Sequence, residues 1–455
     1  MSLVHKFRAV KGVRDITPPD SALWNRVEQA ARDVFARYGF GEIRLPIFEH
    51  TELFARSIGE ETDVVSKEMF TFLDPSPNFD LLIKGCGPDA TEAEQQAMRE
   101  ALQHASHSDK LTLRPEATAS ACRAYIEHGM QTLPGNVKLY YMGPMFRRER
   151  PQKGRFRQFY QIGAEVLGQS DAPAIDAELI EMLMTFFNAA GLTGAQLFIN
   201  SIGDKNCRPQ YVETLRATLR KVHDQLGPDS QRRIETNPLR VLDSKIPEEQ
   251  PIIENLPHIA DHLCDACRDH FAKLRSELDL RGVGYEINWR LVRGLDYYMR
   301  TTFEIIAPGL GSQNAVCGGG RYDGLVELLG GPPVKGTGFA IGTDRVILSL
   351  QEANPNTPVR VVDVFVAWMG AAAYAPAVRV THRLRQEGIA VELPPEELKF
   401  KKSLSLADKL GARYALIIGE NEVASGKLTI KRLADGEQAQ IAEGALVAYL
   451  GSEKS

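Results

Sequence analysis

The sequence predicts an α+β protein of two or three domains, and three observations carry that expectation. At 455 residues the chain is longer than one compact core can organise. Strand-like and helix-like stretches are mixed up to about residue 203 and again from Tyr285, whereas residues 204–284 are polar, charge-rich and helical, broken by Pro238, Pro247, Pro251 and Pro257. After EANPNTP (Glu352–Pro358), which has linker composition, strands and helices alternate to the end, the pattern of a small α/β domain with a mostly parallel sheet. The expected domains are 1–203 with 285–351, a helical insert at 204–284, and 359–455.

Composition narrows the function classes. No stretch approaches the ~20 apolar residues that span a bilayer, and the opening MSLVHKFRAVKGVRD lacks the apolar run of a signal peptide, so a cytoplasmic location without membrane contact is expected. A net charge of -5 argues against a generic polyanion binder, so any nucleic acid must be met by local patches. The six cysteines are too few and too scattered for a disulfide framework.

The first helix is expected after Thr17, Pro18 and Pro19, with Thr17 as its cap. Leu23, Val27, Ala30, Ala31, Val34, Phe35 and Tyr38 follow the 3.6-residue period, and Gly39 closes the helix. FGEIRLPIFE (Phe40–Glu49) reads as a strand whose pairing ends at Pro46. Residues 74–110, rich in Pro, Gly, Ser and Ala, read as a surface insertion, a loop with one short helix around Ala90–His104. Ile175, Leu179, Met182, Leu183, Phe186 and Phe187 mark another amphipathic helix, and AQLFINSIG a strand. From Tyr285, INWRLVRGLDYYMRTTFEI reads as strand, followed by the glycine-dense CGGGRYDGL and by GTGFAIGTDRVILSL, a strand running into a helix near Thr343.

The stretch Met145–Glu165 is the most informative. Arg147, Arg148, Arg150, Lys153, Arg155 and Arg157 fall within eleven residues, with Pro151 and Gly154 marking a turn, so a basic hairpin is expected. Beyond the turn, alternation puts Phe159, Gln161, Gly163 and Glu165 on one face of a strand and Tyr160, Ile162, Ala164 and Val166 on the other. Cations opposite an amide and a carboxylate suit a site that holds an anionic phosphate together with a cationic or hydrogen-bonding small molecule. A solvated surface hairpin is the alternative for this stretch taken alone. Arg293, Arg321 and Arg345 lie in separate segments and join Arg147 as four arginines that need a common explanation. Cys264 and Cys267 form a CxxC, with Cys207, His258, His262 and His270 as conceivable partners. A zinc site normally shows a second tight pair, so core thiols and no metal are expected.

These motifs together resemble a class II aminoacyl-tRNA synthetase, specifically the histidyl-tRNA synthetase family, over nearly the whole chain. The helix and strand ending at Pro46 match the class's first motif, MFRRERPQKGRFRQFYQIGAE its second, and GTGFAIGTDR its third; LVRGLDYY, GGGRYDGL and TLRPEAT resemble the family's histidine-specific segments. The resemblance implies an antiparallel catalytic sheet flanked by helices, the helical insert, and a C-terminal anticodon-binding domain. It implies ATP-dependent activation of L-histidine and transfer to histidine tRNA, with Mg2+ accompanying ATP and a homodimer formed through the first motif.

Residue roles carry over by position. Glu116, Ala117, Thr118 and Gln161 would surround the α-amino group, and Glu165, Tyr297 and Tyr298 the imidazole, with Glu165 and Tyr298 reading its two nitrogens. Arg147 and Arg293 would grip the α-phosphate and the substrate carboxylate as the catalytic pair; Glu149 and Arg345 would also hold ATP, Arg345 at the γ-phosphate. Arg150 and Gln152 would meet the tRNA acceptor end, with its extra 5′ guanylate. Asp344 stands where the family more often has Glu and should still orient Arg345. LKFKKSLS, before the terminal domain's LADKLGARYALIIGENEVASGKL, matches the family less well. Regular alternation would place Tyr298 opposite Arg293 and Tyr297, so the shared pocket requires a break in the strand, expected at Gly294. Two rival readings are a histidine-binding regulatory subunit of ATP phosphoribosyltransferase, which shares the core fold without catalysis, and a noncatalytic tRNA-binding scaffold.

Overall fold

The computed structural model describes residues 7–59, 62–74, 79–106, 109–311, 314–353 and 362–452. The chain divides into two compact units, one of residues 1–15 and 26–353 and one of residues 16–25 and 354–455. Among the described residues no helix is long and apolar enough to cross a membrane.

The first unit is built on an eight-stranded sheet. In spatial order its strands are Gly41–Glu42, Val137–Phe146, Gln158–Gly168, Lys335–Gly342, Ala315–Arg321, Met299–Ile306, Gln196–Ser201 and Glu286–Ile287. The six inner strands pair antiparallel, and only the two short outer strands pair parallel with their neighbours. Helices cover the sheet because their periodic apolar stripes need a partner. Val27, Ala31, Val34 and Phe35 of the first helix are buried, as are Leu179, Met182, Leu183, Phe186 and Phe187 of Pro173–Ala190. Phe35 joins these layers, its ring 5.5 Å from Tyr140, 6.0 Å from Phe339 and 5.8 Å from Phe186. Burying each such phenylalanine contributes about 1.5–3 kcal/mol.

Three local expectations are corrected. Phe40–Glu49 is not one strand: Gly41–Glu42 joins the large sheet, while Phe48–His50 joins a separate three-stranded sheet with Asp109–Leu113 and Phe70–Asp74. Pro46 offers no N–H, and the carbonyls of Leu45 and Pro46 are taken by the Arg114 side chain at 2.7 and 2.9 Å, so the chain changes sheets there. Residues 74–110 are not mainly loop. Helices Phe79–Gly85 and Glu92–Ser106 pack on each other at the end of the strand pair, the second capped by Thr91 and Glu94. Residues 288–298 are not strand either, since regular pairing resumes only at Met299. Side chains take the segment's carbonyls instead: Asn200 Nδ2 donates to those of Trp289 and Leu291, Arg240 Nη2 to that of Gly294 and Arg208 Nη2 to that of Tyr298.

Residues 204–284 contain the helices Arg208–Lys221, Pro228–Thr236, Gln250–Ile253 and Asp265–Leu280. Their buried Tyr211, Leu215, Leu219, Ile234 and Cys267 share one apolar cluster with Tyr298, Tyr322 and Leu167 of the main sheet region. The insert therefore packs directly behind Tyr298.

The second unit has a five-stranded sheet in the order Val391–Glu392, Val364–Trp368, Tyr414–Ile418, Lys427–Arg432, Gln438–Ala442. Its first three strands are parallel and its last two run antiparallel, so the sheet is mixed rather than mostly parallel. Connection length decides this. A parallel crossover needs a dozen or more residues, and the links 419–426 and 433–437 are too short.

Candidate active site

One pocket on the large sheet collects residues from five separated segments. It is lined by Glu116 and Thr118, by Arg147, Glu149 and Gln161, by Arg293, Tyr297 and Tyr298, by Glu304 and Gly318, and by Asp344 and Arg345. Arg147 leaves the end of Val137–Phe146; its Nε donates to the Pro115 carbonyl at 3.0 Å and its guanidinium lies 5.2 Å from the centre of the Phe159 ring. Glu149 stands between two cations, 3.9 Å from Arg147 and 3.5 Å from Arg155. Arg293 donates to Glu304 Oε2 at 3.0 Å and lies flat against the Ala315–Arg321 strand, where a Cβ on Gly318 would fall 2.0 Å from its Nη2. Arg345 opens helix Thr343–Ala353 and donates to the carbonyls of Ala315 and Gly154 at 2.6 and 3.4 Å. Burial, and then the neighbouring charge of Arg155, push the Arg345 pKa down against the opposing pull of Glu149 and Glu304.

Two arginine expectations change. Arg321 does not enter the pocket. It is buried behind the sheet, donating to Asp176 at 2.7 Å and to Asp323 at 3.1 Å, so three of the four arginines converge. Asp344 receives Arg14 at 2.8 Å and the Tyr160 amide at 2.8 Å, while Arg345 draws its orientation from the two carbonyls.

The other end of the pocket is lined by polar groups on a tyrosine-rich wall. Glu116 accepts the amides of Thr118 and Ala119 at 2.7 and 3.0 Å at the start of helix Thr118–Glu127, an anion placed at the positive end of a helix. Burial raises its pKa against the pull of those amides and of Arg147. Ala117 is the buried residue preceding that helix and lies outside the lining. Among the described residues, Gln161 Oε1 and Tyr297 OH are buried without a hydrogen-bond partner, as is Arg293 Nε. Three buried polar atoms in want of partners around one cavity point to a polar ligand. The irregular course of residues 288–298 lets Tyr297 and Tyr298 share the pocket with Arg293; the two rings lie 4.7 Å apart, and the Arg293 guanidinium 6.0 Å from the Tyr298 ring.

Glu165 sits beneath this wall, fully buried rather than lining it. It accepts from Thr118 Oγ1 at 2.7 Å, from Tyr141 OH at 3.3 Å, and from Tyr322 OH. Burial pushes its pKa up to about 8. Gly338, its partner on the next strand, leaves the room it needs: a Cβ there would lie 1.8 Å from Glu165 Oε2. Sequence reasoning missed Tyr141, Tyr322 and Glu304. Tyr322 stands inside GGGRYDGL and could have been noticed, whereas Tyr141 and Glu304 look like ordinary strand residues. Arg150 and Gln152 lie outside the pocket, exposed on the loop between the two strands, where Gln152 and Arg155 pair across the turn Lys153–Gly154.

Comparison with known proteins bears on this arrangement. The family model described as histidyl-tRNA synthetase matches residues 89–346. The chain belongs to the histidyl-tRNA synthetase family. A model of the anticodon binding domain matches residues 363–453. The histidine--tRNA ligase of Koribacter versatilis is 54% identical over 447 residues, covering 97% of this chain and 96% of the relative. That of Solibacter usitatus is 49% identical, covering 97% and 98%. The apo histidyl-tRNA synthetase of S. aureus superposes with a TM-score of 0.71 at 34% identity, over 98% of this chain and 100% of that one. A Bacillus halodurans protein titled ATP phosphoribosyltransferase regulatory subunit/histidyl-tRNA synthetase shares the fold, with a TM-score of 0.61 at 17% identity over 91% of this chain and 98% of that one. The class II histidyl-tRNA synthetase architecture, a catalytic sheet with flanking helices and an anticodon-binding domain with its own sheet, is thus the fold of this chain.

Proposed function

We propose that the pocket activates L-histidine with ATP to histidyl-adenylate, releasing pyrophosphate, and passes the histidyl group to the terminal ribose of histidine tRNA. One observation carries the reading: Arg147, Arg293 and Arg345 face the same cavity as the unsatisfied Gln161 Oε1 and Tyr297 OH. Three cations ask for a polyanion, and the orphaned atoms for a small polar ligand beside it.

In the first step a carboxylate oxygen of histidine forms a bond to the α-phosphorus while the bond to the β-phosphate oxygen breaks, its electron pair leaving with pyrophosphate. Two anions must meet, and Arg147 and Arg293 remove their repulsion and hold them in line. Arg345 takes the γ-phosphate, and Glu149 completes the nucleotide contacts. Glu116, Thr118 and Gln161 surround the α-ammonium group, with Ala117 packed behind them. Tyr298 and Glu165 read the imidazole nitrogens beside Tyr297, with Thr118 and Tyr322 fixing the Glu165 carboxyl. An imidazole-shaped set of buried polar groups rejects side chains that leave them unpaired, so no editing step is needed. Magnesium enters with the nucleotide substrate, and Glu149 and Glu304 are pocket carboxylates of the oxygen type it takes.

In the second step the ribose hydroxyl displaces AMP from the adenylate. Arg150 and Gln152, exposed on the loop beside the pocket, suit the acceptor end, and the terminal domain the anticodon. We assign residues 1–203 and 285–351, with the surface insertion 74–110, to the catalytic core, 204–284 to the helical insert, and 359–455 to the anticodon-binding domain. Exposed Ile47, Phe48 and Phe72, with the latter two rings 6.0 Å apart, supply an apolar patch beside the first motif for a homodimer. We place the enzyme in the cytoplasm.

Histidine-dependent exchange of labelled pyrophosphate into ATP tests the reading. Exchange is expected, and other amino acids should not support it. A protein that binds histidine without exchange would instead be a histidine-sensing regulatory subunit.

A further inference from the structure

We propose that Asp204, Cys207, Cys264 and Cys267 hold a structural zinc ion that fastens the helical insert to the backbone behind Tyr298. The four ligand atoms lie within 4.8 Å of one another. Cys207 Sγ is 3.8 Å from Cys267 Sγ and 3.6 Å from Asp204 Oδ1, and Cys264 Sγ is 3.9 Å from the same oxygen. A tetrahedral zinc with Zn–S of about 2.3 Å and Zn–O of about 2.0 Å needs S···S edges of about 3.8 Å and S···O edges of about 3.5 Å. These three edges are already close to that tetrahedron.

The sequence carries the pattern in disguise. A second cysteine pair is absent, but Asp204-x-x-Cys207 has the same spacing as Cys264-x-x-Cys267, so an aspartate stands in the place of the fourth thiol. Cys207 is the cap of helix Arg208–Lys221 and Cys264 the cap of Asp265–Leu280. Two positive helix ends therefore meet at the cluster, a setting that favours anionic ligands. The site is closed, as structural zinc sites are: Asp204, Cys207 and Cys267 are buried and Cys264 half-buried.

Supporting contacts orient the carboxylate. Asp204 Oδ2 faces Arg300 Nη2 at 3.6 Å and the Asn206 amide group at 3.4 Å, which turns Oδ1 toward the sulfurs. Binding releases a proton from each of the three thiols. The ion and its four anionic ligands then carry two net negative charges, which Arg300 and the helix ends offset. Asp204 Oδ1 also accepts the Asn206 backbone amide at 2.9 Å, which fixes that oxygen and leaves its other lone pair to face the sulfurs. With the ion, the sulfurs and this oxygen form a closed coordination shell.

The cluster also touches the backbone of the histidine wall. Arg300 N donates to Gly203 O at 2.7 Å, Ile202 N to Arg300 O at 2.8 Å, and Arg208 Nη2 to Tyr298 O at 2.7 Å. Arg300 is held at φ 51, the left-handed region that non-glycine residues rarely adopt. A crosslink between residues 204–207 and 264–267 keeps that strained corner in place.

The test is metal content of the full-length protein, purified without a metal-affinity step and washed with a weak chelator. About one zinc per chain is expected, and Cys267→Ser should lose it. Replacement by Co2+ should give the visible absorption of a tetrahedral cobalt thiolate. Asp204→Cys completes a four-thiolate set, so it should keep zinc and release it to a chromophoric chelator at least about ten times more slowly. This variant decides the matter even where Cys267→Ser fails to fold. Substoichiometric zinc, a Cys207–Cys267 disulfide in the mass spectrum, or faster zinc release from Asp204→Cys would overturn the proposal. None of these readouts depends on histidine activation, so the two proposals fail separately.

Discussion

Gly318→Ala isolates the positioning of Arg293 from its charge. The new methyl group would lie 2.0 Å from Nη2, 2.3 Å from Cζ and 2.4 Å from Nη1 of Arg293. Non-bonded heavy atoms settle near about 3.5 Å, so the guanidinium must retreat by roughly 1.5 Å and give up its bond to Glu304. Misplacing a catalytic group by about 1 Å costs on the order of a hundredfold in rate, or about 2.7 kcal/mol of transition-state stabilisation. Stability should change little, because the lost Arg293–Glu304 bond is offset by the backbone. Gly318 pairs within a regular strand outside the left-handed region, and replacing a strand glycine by alanine recovers roughly 0.5–1 kcal/mol of chain entropy. The expected signature is a kcat for histidine-dependent pyrophosphate exchange about a hundredfold lower in a protein that melts no earlier than wild type. A kcat within about threefold of wild type, or a loss of activity matched by a loss of stability, would refute the positioning argument.

Four further outcomes are expected. Arg321→Met strands the fully buried Asp176 carboxylate and should lower unfolding free energy by about 3–5 kcal/mol in denaturant melts; an unchanged midpoint would remove its structural role. Glu165, with its pKa raised to about 8, keeps a proton in the folded chain that the unfolded chain sheds near 4.5, so its contribution to stability is full below that pH and declines as pH rises toward 8. Glu165→Gln cannot titrate, so its melting temperature should be flatter between pH 5 and 8, and parallel curves would contradict the buried-proton account. Gln161→Ala should raise the KM for histidine by roughly tenfold or more with the KM for ATP little changed, as measured by pyrophosphate exchange. Arg150→Ala should slow tRNA charging by roughly ten- to a hundredfold and leave pyrophosphate exchange intact; equal losses in both assays would place Arg150 in the activation step.

What the sequence made legible follows from what periodicity can report. The helix from Arg26 to Arg37 and Pro173–Ala190 each bury one continuous face, so the spacing of Val27, Ala31, Val34 and Phe35, or of Leu179, Leu183 and Phe186, announces them. Residues 288–298 have the composition of a strand, but the side chains of Asn200, Arg240 and Arg208, all distant in sequence, occupy their carbonyls. Residues 79–106 hid a second helix because Gly85 and Gly87 read as loop, although the Thr91–Glu94 capping box was in plain view. Motif likeness picked out Arg147, Arg293 and Arg345 together with Glu116, Gln161 and the tyrosine pair, all of which the fold brings to one cavity. Arg321 looked the same in sequence, and only the position of Asp176, on a helix of another segment, sets it apart.

The contrast between those arginines bears on how the fold prepares the proposed phosphate site. Arg321 ends its strand between two carboxylates, which cancel its charge and make it a rivet. Arg147 and Arg345 are oriented by the carbonyls of Pro115, Ala315 and Gly154, bonds that fix direction without removing the positive charge. A strand of ordinary residues would raise side chains between these groups and the substrate. Gly318 instead leaves bare backbone on which Arg293 can lie, and Gly338 does the same for Glu165 on the neighbouring strand. Glycine in a strand costs up to about 1 kcal/mol per residue. That cost is tolerable only where the missing side chain is worth more as space, and at Gly318 and Gly338 the space goes to charged or ionisable side chains that must approach the backbone.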